Sequence, residues 1–596
     1  MLKKFAVIFM ALVISAVSLT ACNNSNSGNT SSVQSSQTDV QSDGTSTSDN
    51  SNDTAATADT ANSESQFSDG DYKDVESEEP NATIELSGDT GTISDTTRGS
   101  SGSEVVIRSK GIYEVTGSSQ DVSIVINDDN KSGNIYLVLN DVDMTNSASP
   151  CIYVENCDKL IIQCKGNNTL TYTAAENADG LDGAIYSNDD VTVNGSGNLN
   201  VDSQLHGIVC KNDLKVTNAT VSVTAQSIGL KAGDSVRIGG GNITLNSQHD
   251  GIQVENNDGD SYFHMEDGTL NINAGYDGID VGTSADTFSG YVNLVGGTAD
   301  VKSGGGSDNA KDSDTSQKGI KCDGYIYVGD ITLNVSSADD SIHSNTSVSV
   351  TGGVLNLSTS DDGITTTDTL NIKDGEVNIT KSYEGLEGEN IVIDGGNVSV
   401  VSTDDGINAG GGSDSSSDEI GPWGESSSGT LTINGGNVYV NASGDGLDSN
   451  GSIYVTGGTV IVEGPTDNGN GALDKGDSSD CVASITGGTV IAIGTTGMAV
   501  NFDTGSQCSA LVSLSGSEGT EFTVDDGSGF TFTASKSFEC VVYSSPNMTQ
   551  GNTYTITAGS NSATMDFSSA LYYSDVQTKG GMGGNMGGGM GGRGMR

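Results

Sequence analysis

Aromatic residues are scarce in this sequence at 5% of the chain, with a single Trp, and hydrophobic residues reach only 33%. So little apolar side chain argues against one large globular core for 596 residues and points to several segments or to an array of stacked repeats. Cationic residues are scarce too: 24 Lys and Arg stand against 79 Asp and Glu, a net charge of −55. A field of that sign repels DNA, RNA and anionic lipid, which argues against nucleic acid as a partner. The partners left are neutral, cationic or bridged by metal. Beyond the first twenty or so residues no apolar run is long enough to span a bilayer. In place of what is missing stand 83 Gly and many Ser, Thr, Asn and Asp, without collagen periodicity.

The chain opens with Lys3 and Lys4, an apolar run over 5–14 and Leu19-Thr20-Ala21-Cys22. That order of charged, apolar and small residues is the grammar of a secretory signal. The last four residues resemble a bacterial lipobox, which implies cleavage before Cys22, lipidation of its thiol and a lipid anchor as the chain's one link to the membrane. The alternative is a secreted protein in which Cys22 is incidental. Residues 22–79, dominated by Ser, Thr, Asn and Asp, carry too little apolar surface to offset ordering entropy and are expected to be a flexible tether. The Gly- and Met-rich residues 576–596 are expected to be a disordered tail.

Between these ends the sequence repeats. Apolar residues that usually follow Gly recur as Ile208, Leu230, Ile252, Ile279, Ile320, Ile342, Ile364, Leu386, Ile407, Leu447 and Leu473, most of them 22 positions apart. After most markers come two short alternating runs, such as Leu370-Asn371-Ile372 and Val398-Ser399-Val400, separated by Gly-Gly or Asp-Gly turns. Alternation sends the flanking aliphatics to one face and the middle residue to the other. Three strands per unit of constant length predict an all-β right-handed parallel β-helix, about 22 residues per coil, over 80–505, each coil stacking on the last. Residues 506–575 form a small β-rich C-terminal cap in this reading. Two units are longer, and their excess, 303–317 and 409–429, is expected in surface loops.

Stacking brings acids together. Two positions before the markers the chain reads Asp250, Asp277, Lys318, Asp340, Asp362, Glu384, Asp405 and Asp445 in succession; Asp339, Asp361 and Asp404 precede members of that column, and Asp280 and Asp448 follow markers. Carboxylates on coils about 4.8 Å apart repel by roughly 3.5 kcal/mol at an effective dielectric near 20. Such a ladder calls for cations, and hard oxygen ligands without thiol or imidazole spacing suit Ca²⁺. Lys318 is placed to act as a built-in cation. The alternative is that these are solvated Asp-Gly turn residues.

The motifs Asp339-Asp340-Ser341-Ile342, Asp361-Asp362-Gly363-Ile364, Tyr383-Glu384-Gly385-Leu386 and Asp404-Asp405-Gly406-Ile407 resemble those of clostridial calcium-binding surface carbohydrate-binding proteins. That family is a right-handed parallel β-helix similar in architecture to family 9 pectate lyases. The resemblance spans about 81–569 and implies binding of plant cell-wall polysaccharide, cellulose-like or pectic, with calcium at Asp339, Asp340, Asp361, Asp362, Asp404, Asp405 and Glu384. Ser341 departs from the pattern, standing where the other motifs have Gly.

Sugar rings stack on exposed aromatic faces, and alternation aims Tyr325, Tyr327, Tyr439 and Tyr454 outward, while Trp423 lies in the long loop before Leu431. The competing reading of each tyrosine is an exposed strand residue without a ligand. A calcium-dependent lyase is the enzymatic alternative to a binding protein, with Lys321 as first candidate base and Lys318 as second; a surface adhesin or envelope scaffold is a further one. Against this, ordinary charge pairing favours either lysine as a neutraliser of aspartates over a base. Of the eight cysteines after Cys22, most are expected as buried single thiols, with Cys508 and Cys540 the candidate disulfide.

Overall fold

The computed structural model describes residues 66–176, 179–256, 261–283, 290–410, 429–574 and 576. Cys22 and the signal, Trp423 and the tail from 577 lie outside the described residues. Among the described residues the chain is all β, with no helix.

The markers stand directly opposite one another. Ile185, Ile208, Leu230, Ile252, Ile279, Ile320, Ile342, Ile364, Leu386, Ile407 and Leu447 pair in one parallel ladder, and an isolated bridge joins Leu447 to Leu473. The ladder belongs to a 15-stranded sheet that begins well before Ile208, at strands such as Ser123–Asn127 and Ile152–Asn156. Its earlier turns escape the 22-residue pattern because their lengths vary. Two more ladders run beside it: Ile326 through Val348, Leu370, Ile391 and Leu431 to Ile453, and Leu333 through Leu355, Val377, Val398 and Val438 to Val460. Each of these side chains is buried. A modest apolar fraction therefore suffices, because one face of each strand supplies a continuous core and the other can be polar.

Gly before the marker has a steric cause. A Cβ at Gly319 would lie 2.3 Å from Val335 Cγ1 and 2.5 Å from the Ser341 carbonyl of the next coil. Ser341 nevertheless keeps the same turn: its N–H donates to Asp362 O at 3.0 Å, as Gly363 N donates to Glu384 O, and its hydroxyl lies 3.3 Å from that of Ser337.

The ladder through Val460 ends at Thr489–Gly494, which pairs antiparallel with Phe538–Ser544. A separate four-stranded sheet follows, built from Glu521–Val524, Thr531–Thr533, Thr553–Ala558 and Asn561–Asp566. Phe522, Phe538, Met548 and Phe567 fill a second, smaller core there. The candidate disulfide is absent: Cys508 and Cys540 are both free, and Cys540 Sγ donates to Thr495 O at 3.1 Å instead. Extra staples are superfluous where ladder hydrogen bonds hold neighbouring strands.

Residues 66–79, which the composition assigns to the tether, are docked. Asp71 is wholly buried and accepts from Lys159, from Thr192 Oγ1 at 2.6 Å and from Ser68 N at 2.8 Å. Gln163 Oε1 accepts from Val75 N at 2.8 Å, and Tyr72 donates to Gly239 O at 3.3 Å. Composition missed this strap because its few anchors, the polar Asp71 and Gln66 and the apolar Val75 and Phe67, act on distant coils.

Candidate functional site

The turn leading into each marker strand carries the acids, and stacking uses them first for the backbone. Asp250 Oδ1 accepts the amide of Asp277, Asp277 Oδ1 that of Lys318, Asp340 Oδ1 that of Asp362, Asp362 Oδ1 that of Glu384 and Asp405 Oδ1 that of Asp445, at 2.6–3.2 Å. One oxygen of each carboxylate therefore satisfies the same position one coil further on, a structural role that the residue pattern alone does not disclose.

The remaining oxygens crowd one another. Burial, then neighbouring acids, pushes Asp250, Glu384, Asp445 and Asp448 up to about 7. Asp277, Asp361 and Asp362 are raised for the same two reasons, and Asp405 is raised chiefly by burial. Asp340 goes the other way: burial alone would raise it, but His343 and Lys318 hold it well below the carboxylate range.

Among the described residues one set of three acids converges, Asp339, Asp340 and Asp361, with one oxygen of each inside a 4.8 Å span. Two ammonium groups reach it. Lys318 Nζ lies 3.0 Å from Asp339 and 2.8 Å from Asp340. Lys311, carried by the long 303–317 segment, lies 3.1 Å from Asp339 and 2.6 Å from Asp361. His343 Nδ1 faces Asp340 Oδ2 at 2.9 Å, and Nε2 faces Asn345 Oδ1 at 3.0 Å. The expectation of Lys318 as a built-in cation matches this arrangement. Lys311 was missed, since nothing in the loop's composition says where it folds back.

Of these groups Asp339, Lys311, Lys318, His343 and Asn345 line a cavity of about 710 Å³ together with residues 312–316 and Lys321, a size that accommodates a small ligand. A second cavity of about 200 Å³ adjoins it at Lys321, with Gln253, Glu255, Asp280 and Asp323. Ladder register stacks Lys321 between Asp280 and His343, and its ammonium lies 3.2 Å from Asp280 and 3.8 Å from Asp277. Burial would lower the Lys321 pKa, but those two carboxylates outweigh it and the net shift is upward. Asp404, Asp405 and Asp445 sit in the same turn on later coils, Asp448 in the strand Leu447–Ser449, and none joins the three-acid cluster.

The sequence-predicted aromatics divide. Tyr454 is exposed. Tyr325 is half-buried and stacks on Tyr291, 5.3 Å between centroids, and Tyr291 stacks on Tyr262 at 4.6 Å. Tyr327 accepts from Thr351 Oγ1 at 2.9 Å. Tyr439 does point outward, but it is half-buried and donates to Glu463 Oε1 at 2.7 Å; the same Glu463 accepts the amide of Ser535. It is no open platform. Tyr276 and Tyr383, absent from the sequence-derived set because they lie in turns outside the alternating strands, are both exposed.

Comparison with known proteins gives the family. The chain matches, over residues 101–363 and 358–560, the family described as carbohydrate-binding domain-containing protein, and it belongs to that family. It is similar to a carbohydrate-binding domain-containing protein of Acetivibrio thermocellus, 35% identical over 130 residues, which are 20% of this chain and 45% of that one. The chain thus spans less than half the length of this curated relative. A solved structure, that of the polysaccharide lyase-like protein from C. thermocellum as a gadolinium derivative, matches at 26% identity with a TM-score of 0.31, covering 52% of this chain and 96% of the other.

Proposed function

We propose that this protein binds polysaccharide without cutting it, through a calcium-stabilised right-handed parallel β-helix held at a bacterial cell surface by lipid on Cys22. The observation that carries the reading is the convergence of Asp339, Asp340 and Asp361 beside a sugar-sized cavity in a chain of the carbohydrate-binding family.

The donor set fits calcium. Three carboxylates bring hard oxygens together on adjacent coils, and the raised acids around them mark a site short of positive charge. Asp339, Asp340 and Asp361 would hold the ion, displacing the ammonium groups of Lys311 and Lys318, with Asp362 and Glu384 as neighbours. Bound calcium supplies positive charge that staples coils and accepts an oxygen of an acidic sugar.

A lyase needs a neutral lysine to take a proton, and both candidates are held by acids: Lys321 by Asp280 and Lys318 by Asp339 and Asp340. That favours binding over cleavage. A glycan array of plant cell-wall polysaccharides, run with calcium and with chelator, tests the reading. Retention of cellulose-like or pectic chains, lost in chelator and without release of unsaturated uronides, is expected. No retention in calcium would overturn it, and growth of ultraviolet absorbance that vanishes in Lys321→Ala would replace it with the lyase.

A further inference from the structure

We propose that residues 303–317 form a cation-released clasp: Lys311 holds the segment shut over the three-acid cluster, and a divalent cation taking its place lets the segment swing away from the coils it covers. This rests on the calcium reading of that cluster and adds a competing group, a moving part and a selection against monovalent ions.

The segment lies across coils that are not its own. It leaves the ladder at Ser303, opposite Ser337 of the next coil, and its Ser307 then touches three later coils. Ser307 N donates to Ser336 Oγ at 3.1 Å, its Oγ accepts from Ser358 Oγ at 2.8 Å, and its carbonyl accepts from Lys381. Ladder register stacks Ser336, Ser358 and Lys381 one upon the next. Asp308 adds a carboxylate 3.6 Å from the Lys381 ammonium. Lys311 reaches the corner, 3.1 Å from Asp339 and 2.6 Å from Asp361, acids of two successive coils. Residues 311–316 thereby wall one side of the cavity of about 710 Å³.

Nothing apolar holds this segment. Its one side chain of that kind, Ala310, is exposed, as is every residue of 308–314. At its root stand Gly304, Gly305 and Gly306 with φ of 58°, 81° and 94°, a run of left-handed backbone that glycine alone adopts freely and that supplies a hinge. Ser303 Oγ donates to Gln317 O at 2.9 Å and ties the two ends together. A stretch held by a few polar contacts opens far more readily than the packed coils beneath it.

Lys311 and Lys318 meet the same acids in different ways. Lys318 is buried in the stacked turn, its amide held by Asp277 Oδ1, so when its ammonium yields only a side chain turns. Lys311 rides the segment, so its release frees the segment's tip. A monovalent cation in its place brings no more charge than leaves. A divalent one does, and the exchange therefore selects Ca²⁺ over Na⁺ and K⁺. While the clasp is shut, apparent cation affinity falls in proportion to the fraction of molecules that are open.

Acetylation footprinting of the full chain, read by mass spectrometry, tests the clasp, because an amine held by a carboxylate stays protonated and reacts slowly. For a clasp shut in about nine molecules of ten, calcium should raise labelling of Lys311 about tenfold, and that of Lys381 with it at the same midpoint. Potassium at matched ionic strength should do neither. Lys311→Met should leave Lys381 reactive without calcium and tighten calcium binding, read by titration calorimetry, by the same factor of about ten. Calcium that binds while Lys381 stays protected would mean that only a side chain moves and would overturn the clasp. Equal unmasking by potassium, or unchanged calcium affinity in Lys311→Met, would do the same while leaving calcium binding intact. Failure of the unaltered protein to bind calcium would sink the calcium reading itself.

Discussion

The Lys318 ammonium lies 2.8 Å from the Asp340 carboxylate, and the two side chains are 6% and 0% exposed. A buried pair of this kind costs most when only one partner is removed. Lys318→Met leaves Asp339 and Asp340 facing each other and is expected to lower unfolding free energy by about 3 kcal/mol or more in chelator. Urea unfolding in chelator and in calcium reads this, and calcium should restore part of the loss.

Calcium itself should raise the melting temperature. Ligand at about a hundredfold its Kd adds about 2.7 kcal/mol to the stability of a one-site protein. Asp339→Asn with Asp361→Asn removes two of the three converging acids, so the shift should vanish in that double variant. Differential scanning calorimetry at matched ionic strength checks it.

Without calcium, stability should fall as pH rises from about 4 to 7. Asp250, Glu384, Asp445 and Asp448 titrate near 7 in the folded chain and near 4 when unfolded. Between those values the native state binds more protons than the unfolded one, so deprotonation on the way up favours unfolding. The melting temperature in chelator should therefore be higher at pH 5 than at pH 8. Calcium, which binds deprotonated carboxylates, should shrink that difference.

Asp71 is the anchor of the 66–79 strap, buried against half-buried Lys159 and buried Lys215. Asp71→Ala leaves those lysines without their shared carboxylate and should cost about 3 kcal/mol. Limited proteolysis should then cut within 66–79 while the coils stay intact, because the strap is left with few contacts besides Val75, Phe67 and scattered hydrogen bonds.

The free thiols make a simple check. A disulfide between Cys508 and Cys540 would contribute about 2–5 kcal/mol; since both are free, reductant should leave the unfolding transition where it is.

The markers were legible because stacking turns a local pattern into a contact. When every coil repeats the last, residue i meets its counterpart about 22 positions on, so the spacing of Ile320, Ile342 and Ile364 along the chain is already the rule by which they pair. Even the two longer units keep their place, since loops such as 303–317 absorb the excess outside the ladder. The same logic placed Lys318 beside Asp339 and Asp340. It failed for Tyr439, whose outward direction was right but whose phenol is taken by Glu463, and for the tether, of which 66–79 docks.

Composition and period by themselves determined the strand class, the identity of the core columns and the column of acids two positions before the markers, because those follow from alternation and repeat length. Only the tertiary structure decided which acids converge, that Lys311 folds back onto them, that most acids in the column cap the next coil's amide, and that Tyr276 and Tyr383 stay open on the same corner. Each of those depends on side-chain rotation or on an irregular segment returning to the stack, and neither leaves a period to read.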